Sequence, residues 1–246
     1  MPAKLRLDKL LVERGLAESR AKAQALVMAG CVYSETKRLE KPGQPVAADT
    51  PIEIKGRDHP WVSRGGLKLA HGLAHFGISA RDKVCLDIGA STGGFTDVLL
   101  QAGARRVYAV DVGRGQLAWK LQTDPRVVML DHTNARHLSA AEVPEAIDLI
   151  TCDASFIGLA TLLPAALTLA APGARLIALV KPQFEVGPGR VGKGGIVRDP
   201  ALHAEVCGRI SGWLGGQAGW TVLGVAASPV TGADGNKEFL IAAERD

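Results

Sequence analysis

Cysteine is scarce in this 246-residue chain, and its four copies, Cys31, Cys85, Cys152 and Cys207, lie far apart with no CxxC or Cys/His spacing. That spacing suggests neither a zinc site nor a disulfide framework and leaves three of the four as small core residues in apolar surroundings. The N-terminus MPAKLRLDKL lacks an apolar core of signal-peptide length, which predicts a chain kept in a reducing cytoplasm. Long, strongly apolar runs are missing too. Residues 154–174 are uncharged, but they contain Pro164 and Pro172-Gly173 and are rich in Ala and Thr. They read as a long helix covering a sheet rather than as a membrane span, which needs ~20 strongly apolar residues. A large excess of one charge is lacking as well: 29 Lys/Arg against 25 Asp/Glu give a formal net charge of +4. The excess is uneven: residues 1–60 hold 11 Lys/Arg against 8 Asp/Glu, and residues 61–246 hold 18 against 17. The basic bias of the N-terminal quarter is a modest pointer to a polyanionic partner.

What the chain does have is 47% hydrophobic residues and 29 glycines, enough for one full α/β core and a small extra module. The stretch RLDKLLVERGLAESRAKAQALVMAGCV reads as two helices. Leu7, Leu10, Leu11 and Arg14 share one helical face up to Gly15, and Ser19 caps a second helix that carries Ala23, Leu26 and Val27 up to Gly30. Short strands follow. These residues resemble the S4 RNA-binding domain over roughly residues 4–56. The resemblance implies phosphate contacts through the basic helical pair, with Arg6, Arg20 and Lys22, and Arg64 further along, as candidate RNA contacts. Tyr33-Ser-Glu-Thr-Lys replaces the usual small turn, so an irregular strand hairpin is expected there. The alternative is a pair of solvated amphipathic helices.

Residues 57–62 read as a linker, dividing the chain into 1–56 and 63–246. Beyond it, SRGGLKLAHGLAHFGI predicts a helix buried through Leu67, Ala70, Leu73, Ala74 and the following Phe76, with Lys68 off that stripe. Strands and helices then alternate: KVCLDIG, FTDVLLQAG, RVYAVDV, a short helix near 116–121, RVVML, IDLITCD, the helix after Ser155, RLIALVK, a helix near 201–214, TVLGVAA and EFLIAA. That alternation predicts a doubly wound, mostly parallel sheet. Its last two strands are joined only by a loop, so the final one should run antiparallel.

LDIGASTGGFTD closes the first sheet strand and opens a helix. Gly89, Ala90, Ser91, Thr92, Gly93, Gly94 and Phe95 form a glycine-rich strand-to-helix turn that allows close backbone approach to a ligand. Asp111 ends the second strand, where a carboxylate can accept both ribose hydroxyls. Asp131 ends the third, placed to read an adenine edge. A nicotinamide cofactor and S-adenosylmethionine both fit these features. Asp97 near the turn suits an ammonium or sulfonium better than a pyrophosphate, and the antiparallel last strand favours S-adenosylmethionine as well.

The strand ends also collect charge. Asp153 follows IDLITC, Lys181 follows RLIALV, and Glu238 opens the antiparallel strand, so all three emerge on the edge that carries GASTGG. Lys68 can reach the same rim. The four resemble the Lys-Asp-Lys-Glu tetrad of ribose 2'-O-methyltransferases. WVSRGGLKL, GASTGGFTDVLL, VDVGRGQLAW, DASFI, LVKPQFEVG and ASPVTGADGNKEF resemble the TlyA (hemolysin A) family of rRNA 2'-O-methyltransferases over essentially the whole chain. That family usually has a glutamate followed by an arginine where this chain has Asp131-His132.

The resemblance implies a seven-stranded Rossmann-like, S-adenosylmethionine-dependent methyltransferase fold of the FtsJ-like type behind a small α+β S4 domain. It implies 2'-O-methylation of a cytidine in ribosomal RNA, of the large subunit and in some members also of the small one; a monomer is expected because the RNA supplies the large surface. A ribose hydroxyl is a very weak acid, so its proton must be taken while oxygen, carbon and sulfur stay in line. Lys181 is assigned as the base, Lys68 as the second ammonium, Asp153 as the acid near the methyl and Glu238 as the orienting carboxylate. No metal is required. The loop 184–200, with Arg190 and Lys193, has little that could pack and is expected to close over the target nucleotide. Two alternatives stay open: a pore-forming hemolysin that inserts residues 154–174, and a non-catalytic S4 RNA-binding protein.

Overall fold

The computed structural model describes residues 4–17, 19–55, 59–187, 189–232 and 235–246. The chain divides into two compact units, Met1–Arg64 and Gly65–Asp246. Residues 57 and 58 of the expected linker lie outside the described residues, and His59 to Val62 belong to the first unit.

The first unit opens with a strand that the sequence pattern did not announce, β1 (Lys4–Arg6), followed by α1 (Leu7–Glu13), α2 (Arg20–Met28), β2 (Val32–Ser34), β3 (Lys37–Arg38), β4 (Pro45–Ala47) and β5 (Glu53–Ile54). β1 pairs antiparallel with β4, and β2 pairs with both β3 and β5. Leu7, Leu11, Ala23, Val27, Val32 and Leu39 form the core. The Ser19 side chain accepts from the Lys22 amide at 3.2 Å, the expected cap. Arg14 departs from its expected face: it is exposed and donates to the Thr50 and Ala48 carbonyls. The β2–β3 hairpin is regular rather than irregular, in register at Tyr33–Arg38 and Ser34–Lys37. Its two-residue turn is made possible by Glu35 at φ 55°.

The second unit runs α3 (Gly65–Phe76), β6 (Val84–Ile88), α4 (Gly94–Gln101), β7 (Arg106–Val110), α5 (Trp119–Gln122), β8 (Val127–Leu130), β9 (Ile147–Cys152), α6 (Leu159–Leu162), α7 (Pro164–Thr168), β10 (Ala170–Val180), α8 (Pro182–Glu185), α9 (Pro200–Gly215), β11 (Trp220–Ala227) and β12 (Phe239–Arg245). Its seven strands lie in the order β11-β12-β10-β9-β6-β7-β8. β10, β9, β6, β7 and β8 are parallel neighbours, and β12 runs antiparallel between β10 and β11. All five residues of β6 are buried, as a central parallel strand requires. One core cluster joins β6, β7, β9, β10 and β12 to α6, α7 and α9.

Three local expectations change. The helix after Ser155 is not long: α6 and α7 are short and separate, because Pro164 restarts the helix at its first position. Among the described residues no helix is long and apolar enough to cross a membrane. The buried face of α3 is Gly66, Lys68, Leu69 and Gly72, whereas Leu67, Ala70, Leu73 and Phe76 are half-buried and Ala74 is exposed. Glycine decides this, since a Cβ on Gly72 would lie 3.2 Å from Ile177 Cγ2. The helix comes closer to β10 and β12 than a leucine stripe allows. Finally, the loop 184–200 does pack at both ends, through buried Val186 and Val197.

Candidate active site

In the parallel part of the sheet, register places the strand ends together. Ile88 pairs with Cys152, so Gly89 and Asp153 occupy the next position, and Val180 pairs with Phe239, so Lys181 and Glu238 do. Glycine is required at 89: φ is 79°, and a Cβ there would lie 3.0 Å from the backbone of Ala154.

Beside this edge opens a cleft of about 710 Å³, lined by Gly89 and Ser91 after β6, Asp111, Val112 and Gln116 after β7, Thr133 to Arg136 after β8, and Asp153 to Ile157 after β9. Asp111 is held in place by two amides: Oδ2 accepts from Ser91 N and Oδ1 from Gly113 N, both at 2.8 Å. Each oxygen keeps a second lone pair for a ligand hydroxyl. Of the predicted cofactor residues, the cleft brings together Gly89, Ser91 and Asp111. Ala90, Thr92, Gly93, Gly94 and Phe95 stand behind it. Gly93 is packed against Leu117 and Leu121, Phe95 is buried, and the Thr92 carbonyl accepts from Ala118 N. Asp131 does not line the cleft; its Oδ2 accepts from Gly115 N at 2.7 Å and ties down the loop after β7. Asp97 does not line it either, because Lys120 of α5 holds its carboxylate at 2.8 Å. Sequence reading missed Val112, Gln116, Asn134 and Arg136, which carry no motif and reach the cleft only through the course of their loops.

The four charged residues meet. Glu238 Oε2 lies 2.7 Å from Lys68 Nζ, Lys68 Nζ lies 3.6 Å from Asp153 Oδ2, and Asp153 Oδ1 lies 2.6 Å from Lys181 Nζ. Lys68, Lys181 and Glu238 are all under a tenth exposed. Buried charges persist only when paired, and here two cations alternate with two anions so that the row is neutral. Lys181 also donates to Ser155 Oγ at 3.0 Å and to the Asp153 carbonyl at 3.3 Å. Ser155, in the stretch DASFI, is a partner that is not among the predicted site residues. Asp153 belongs to both the charged row and the cleft wall, so the two are continuous.

Behind the edge, Asp87 is fully buried and accepts from Thr96 Oγ1 at 2.6 Å and Thr151 Oγ1 at 3.1 Å. Burial pushes its pKa up to about 7, against the pull of those two hydroxyls. Phe156 sits at the cleft mouth, 90% exposed and at φ 66°, a strained conformation for a bulky side chain. Two contacts hold it there. Its ring lies 5.1 Å from that of Phe184, and Glu185 Oε1 accepts from Leu159 N at 2.8 Å, three residues on.

The candidate RNA contacts are mostly engaged within the protein. Arg6 and Arg20 both bind the buried Asp8 carboxylate, at 2.9 and 3.1 Å, and Gln24 joins them at 2.9 Å. The Arg6 side-chain hydrogen bonds, then that of Gln24, hold the Asp8 carboxyl far below the usual carboxylate range. Half of each arginine remains exposed. Lys22 is exposed and its amide serves the Ser19 cap. Arg64 donates to Glu40 at 2.7 Å and is largely covered. Arg190 makes a two-point contact with Glu205 at 2.6 Å, and Lys193 is exposed in a short 3-10 turn, Lys193–Gly195.

A seven-stranded sheet with one antiparallel strand inserted beside the end, a glycine turn after its central strand and a cleft-lining acid after the next define a methyltransferase of the α/β class. The particular family follows from comparison. The model of the FtsJ-like methyltransferases matches residues 61–245 and that of the S4 domain matches residues 5–52, so this chain belongs to the FtsJ-like methyltransferase family and carries an S4 domain. It is 52% identical over 239 residues to the Bacillus subtilis protein named "Putative rRNA methyltransferase YqxC", covering 97% of this chain and 85% of that one. It is 46% identical over 242 residues to the Mycobacterium tuberculosis 16S/23S rRNA (cytidine-2'-O)-methyltransferase TlyA, covering 98% and 90%. A solved Streptococcus thermophilus structure described as a "Putative hemolysin" matches with a TM-score of 0.77 and 42% identity, over 100% of this chain and 90% of that one.

Proposed function

We propose that this chain transfers a methyl group from S-adenosylmethionine to the 2'-oxygen of a cytidine in ribosomal RNA. The observation that carries the reading is the continuity of the cofactor cleft with the row Glu238–Lys68–Asp153–Lys181, through Asp153. The cleft suits an adenosine-bearing ligand: Gly89 leaves its floor open where a Cβ would meet the Ala154 backbone, and Asp111 presents two pre-positioned carboxylate oxygens to a ribose. Bound there, S-adenosylmethionine supplies an electrophilic methyl carbon on a sulfonium.

The chain's own groups then prepare the nucleophile. The target hydroxyl would enter beside Asp153 and Lys181; Lys181, acting as the free amine, would take its proton as the oxygen–carbon bond forms and the carbon–sulfur bond breaks, with the neutral thioether as leaving group. Lys68, held by Glu238, orients the hydroxyl, and Asp153 holds the Nζ atoms of both lysines at the rim. The S4 unit supplies affinity through the outward halves of Arg6 and Arg20 and through Lys22, with phosphate contacts that carry no sequence choice. Arg190 and Lys193 hold the RNA near the target. Arg190 exchanges Glu205 for a phosphate at little cost, because water and salt screen an exposed ion pair. Arg64 has its charge satisfied by Glu40 and is a weaker contact. The protein works as a cytoplasmic monomer, with the ribosomal particle supplying the large surface.

Lys181→Ala and Lys68→Ala should each lower transfer to ribosomal subunits by at least roughly a hundredfold, the scale of a missing general base. Cofactor affinity, read by calorimetry, should stay within about twofold, since neither lysine lines the cleft. Wild-type turnover by Lys181→Ala removes it as the base.

A further inference from the structure

Asn236 lies in the turn before β12, is 1% exposed and carries no charge. Its side chain makes two hydrogen bonds to one distant segment: Oδ1 accepts from Val197 N at 2.9 Å, and Nδ2 donates to Gly195 O at 2.9 Å. A neutral amide is the group that can both donate and accept at this spacing, and a carboxylate can only accept. The segment it grips is fixed from the other side as well, since His203 Nε2 of α9 lies 2.9 Å from the Val197 carbonyl. Backbone hydrogen bonds anchor the described residues of the turn: Gly232 N donates to Asn236 O at 2.9 Å, and Gly235 N to Gly232 O at 3.0 Å.

Two residues beyond Asn236 comes Glu238. Its carbonyl accepts from Ser228 N at 2.9 Å, and its carboxylate lies against Gly232, where a Cβ would come within 2.3 Å of Oε1. The direction of that carboxylate is therefore set by the backbone of the turn, and the buried staple that locks the turn is Asn236. The gripped segment continues the chain from Lys181 and α8, so one amide joins the connections leading from both ends of the charged row.

We propose that Asn236 is a positioning residue for methyl transfer, acting through Glu238: its amide ties segment 195–197 to the turn that delivers Glu238 and so fixes the Glu238–Lys68 contact. The proposal rests on the catalytic reading of the four charged residues. A staple that served stability alone would lower the melting temperature and leave turnover of the folded protein unchanged.

The test is a double-mutant cycle, read as single-turnover transfer of labelled methyl to ribosomal subunits from cells lacking this gene, with cofactor affinity and melting temperature measured alongside. Asn236→Ala should slow transfer roughly tenfold, as small displacements of catalytic groups do, with cofactor affinity unchanged. In a Glu238→Gln background the same substitution should change the rate by less than about twofold, because its route of action is already removed. Asn236→Asp adds a signature that also serves if the alanine variant does not fold. Its rate relative to wild type should rise as the pH is lowered, when a protonated carboxyl regains the donor for Gly195. An Asn236→Ala rate equal to wild type, effects that add in full on Glu238→Gln, or a flat pH ratio for Asn236→Asp each overturn the role of Asn236. A fully active Glu238→Gln enzyme instead overturns the catalytic reading beneath it.

Discussion

Asp87 is the residue whose chemistry is most at odds with its surroundings. It is fully buried, and desolvation outweighs the hydrogen bonds from Thr96 and Thr151, so that its pKa rises from 3.8 to about 7. Raising the folded-state pKa of an acid means that the native state binds the proton more tightly than the unfolded chain. Stability from this group is therefore fully present below 3.8 and is lost as the pH climbs to about 7. Asp87→Asn keeps the shape and removes the titration. Its unfolding free energy should gain on wild type by a few kcal/mol across that interval, at ~1.4 kcal/mol per pKa unit. Parallel curves from urea titrations at several pH values would show that Asp87 stays ionised in the native protein.

The same scale shows what the sequence made legible. Asp153, Lys181 and Glu238 could be brought together from strand order and direction alone, because parallel strands end on one edge and an antiparallel strand begins there. Asp97 and Asp131 could not be placed that way. Their partners, Lys120 and Gly115 N, come from the course of a neighbouring loop, which no periodicity encodes.

Among the elements, α3 shows how a buried face can escape a hydropathy pattern. Its leucines suggested one stripe, but Gly72 allows the backbone to approach β10 and β12, and that rotation buries Lys68 against Glu238. Gly72→Val should push the helix away from Ile177 and Leu240. Overpacking of this kind costs about 1–3 kcal/mol. Because Lys68 travels with the helix, transfer should fall further than the smaller folded fraction explains, and activity per folded molecule, scaled by circular dichroism, is the check.

The short helix α6 makes a second case. Glu185 accepts from its Leu159 amide, and Arg209 donates to Glu185, so LVKPQFE carries Lys181, the proposed base, near one end and the anchor of the cleft wall at the other. Glu185→Ala leaves that amide unpaired, a cost of about 1–2 kcal/mol by analogy with helix caps. It should loosen Phe156 and Ile157 and weaken cofactor binding, while Lys181 keeps its contact with Asp153. Unchanged cofactor affinity in calorimetry would mean that Phe184 alone holds the wall. Neither the break at Pro164 nor the anchor at Glu185 was read from sequence: the first follows from where the chain must turn back to β10, the second from a contact across 26 residues.

At the scale of the molecule there are two units with separate cores, and the proposed function divides RNA affinity and chemistry between them. Removing residues 1–56 should abolish transfer to ribosomal RNA and leave cofactor affinity unchanged, since the cleft is lined wholly by the second unit. Arg6→Glu and Arg20→Glu should each flatten the salt dependence of RNA binding by roughly one unit of slope, the share of a single neutralised phosphate. They also strip Asp8 of its partners, so the melting temperature of each variant has to be followed beside the binding. An unchanged slope in folded protein would place the RNA on another face.

The central claim is that this chain methylates the 2'-oxygen of a cytidine in ribosomal RNA by way of Lys181. Mapping 2'-O-methyl groups by mass spectrometry on rRNA from cells carrying the wild-type gene, the Lys181→Ala gene or no copy tests it most directly. The account predicts one or more methylated cytidines present with the wild-type gene and missing from both other strains. Identical methylation maps in all three strains would contradict it.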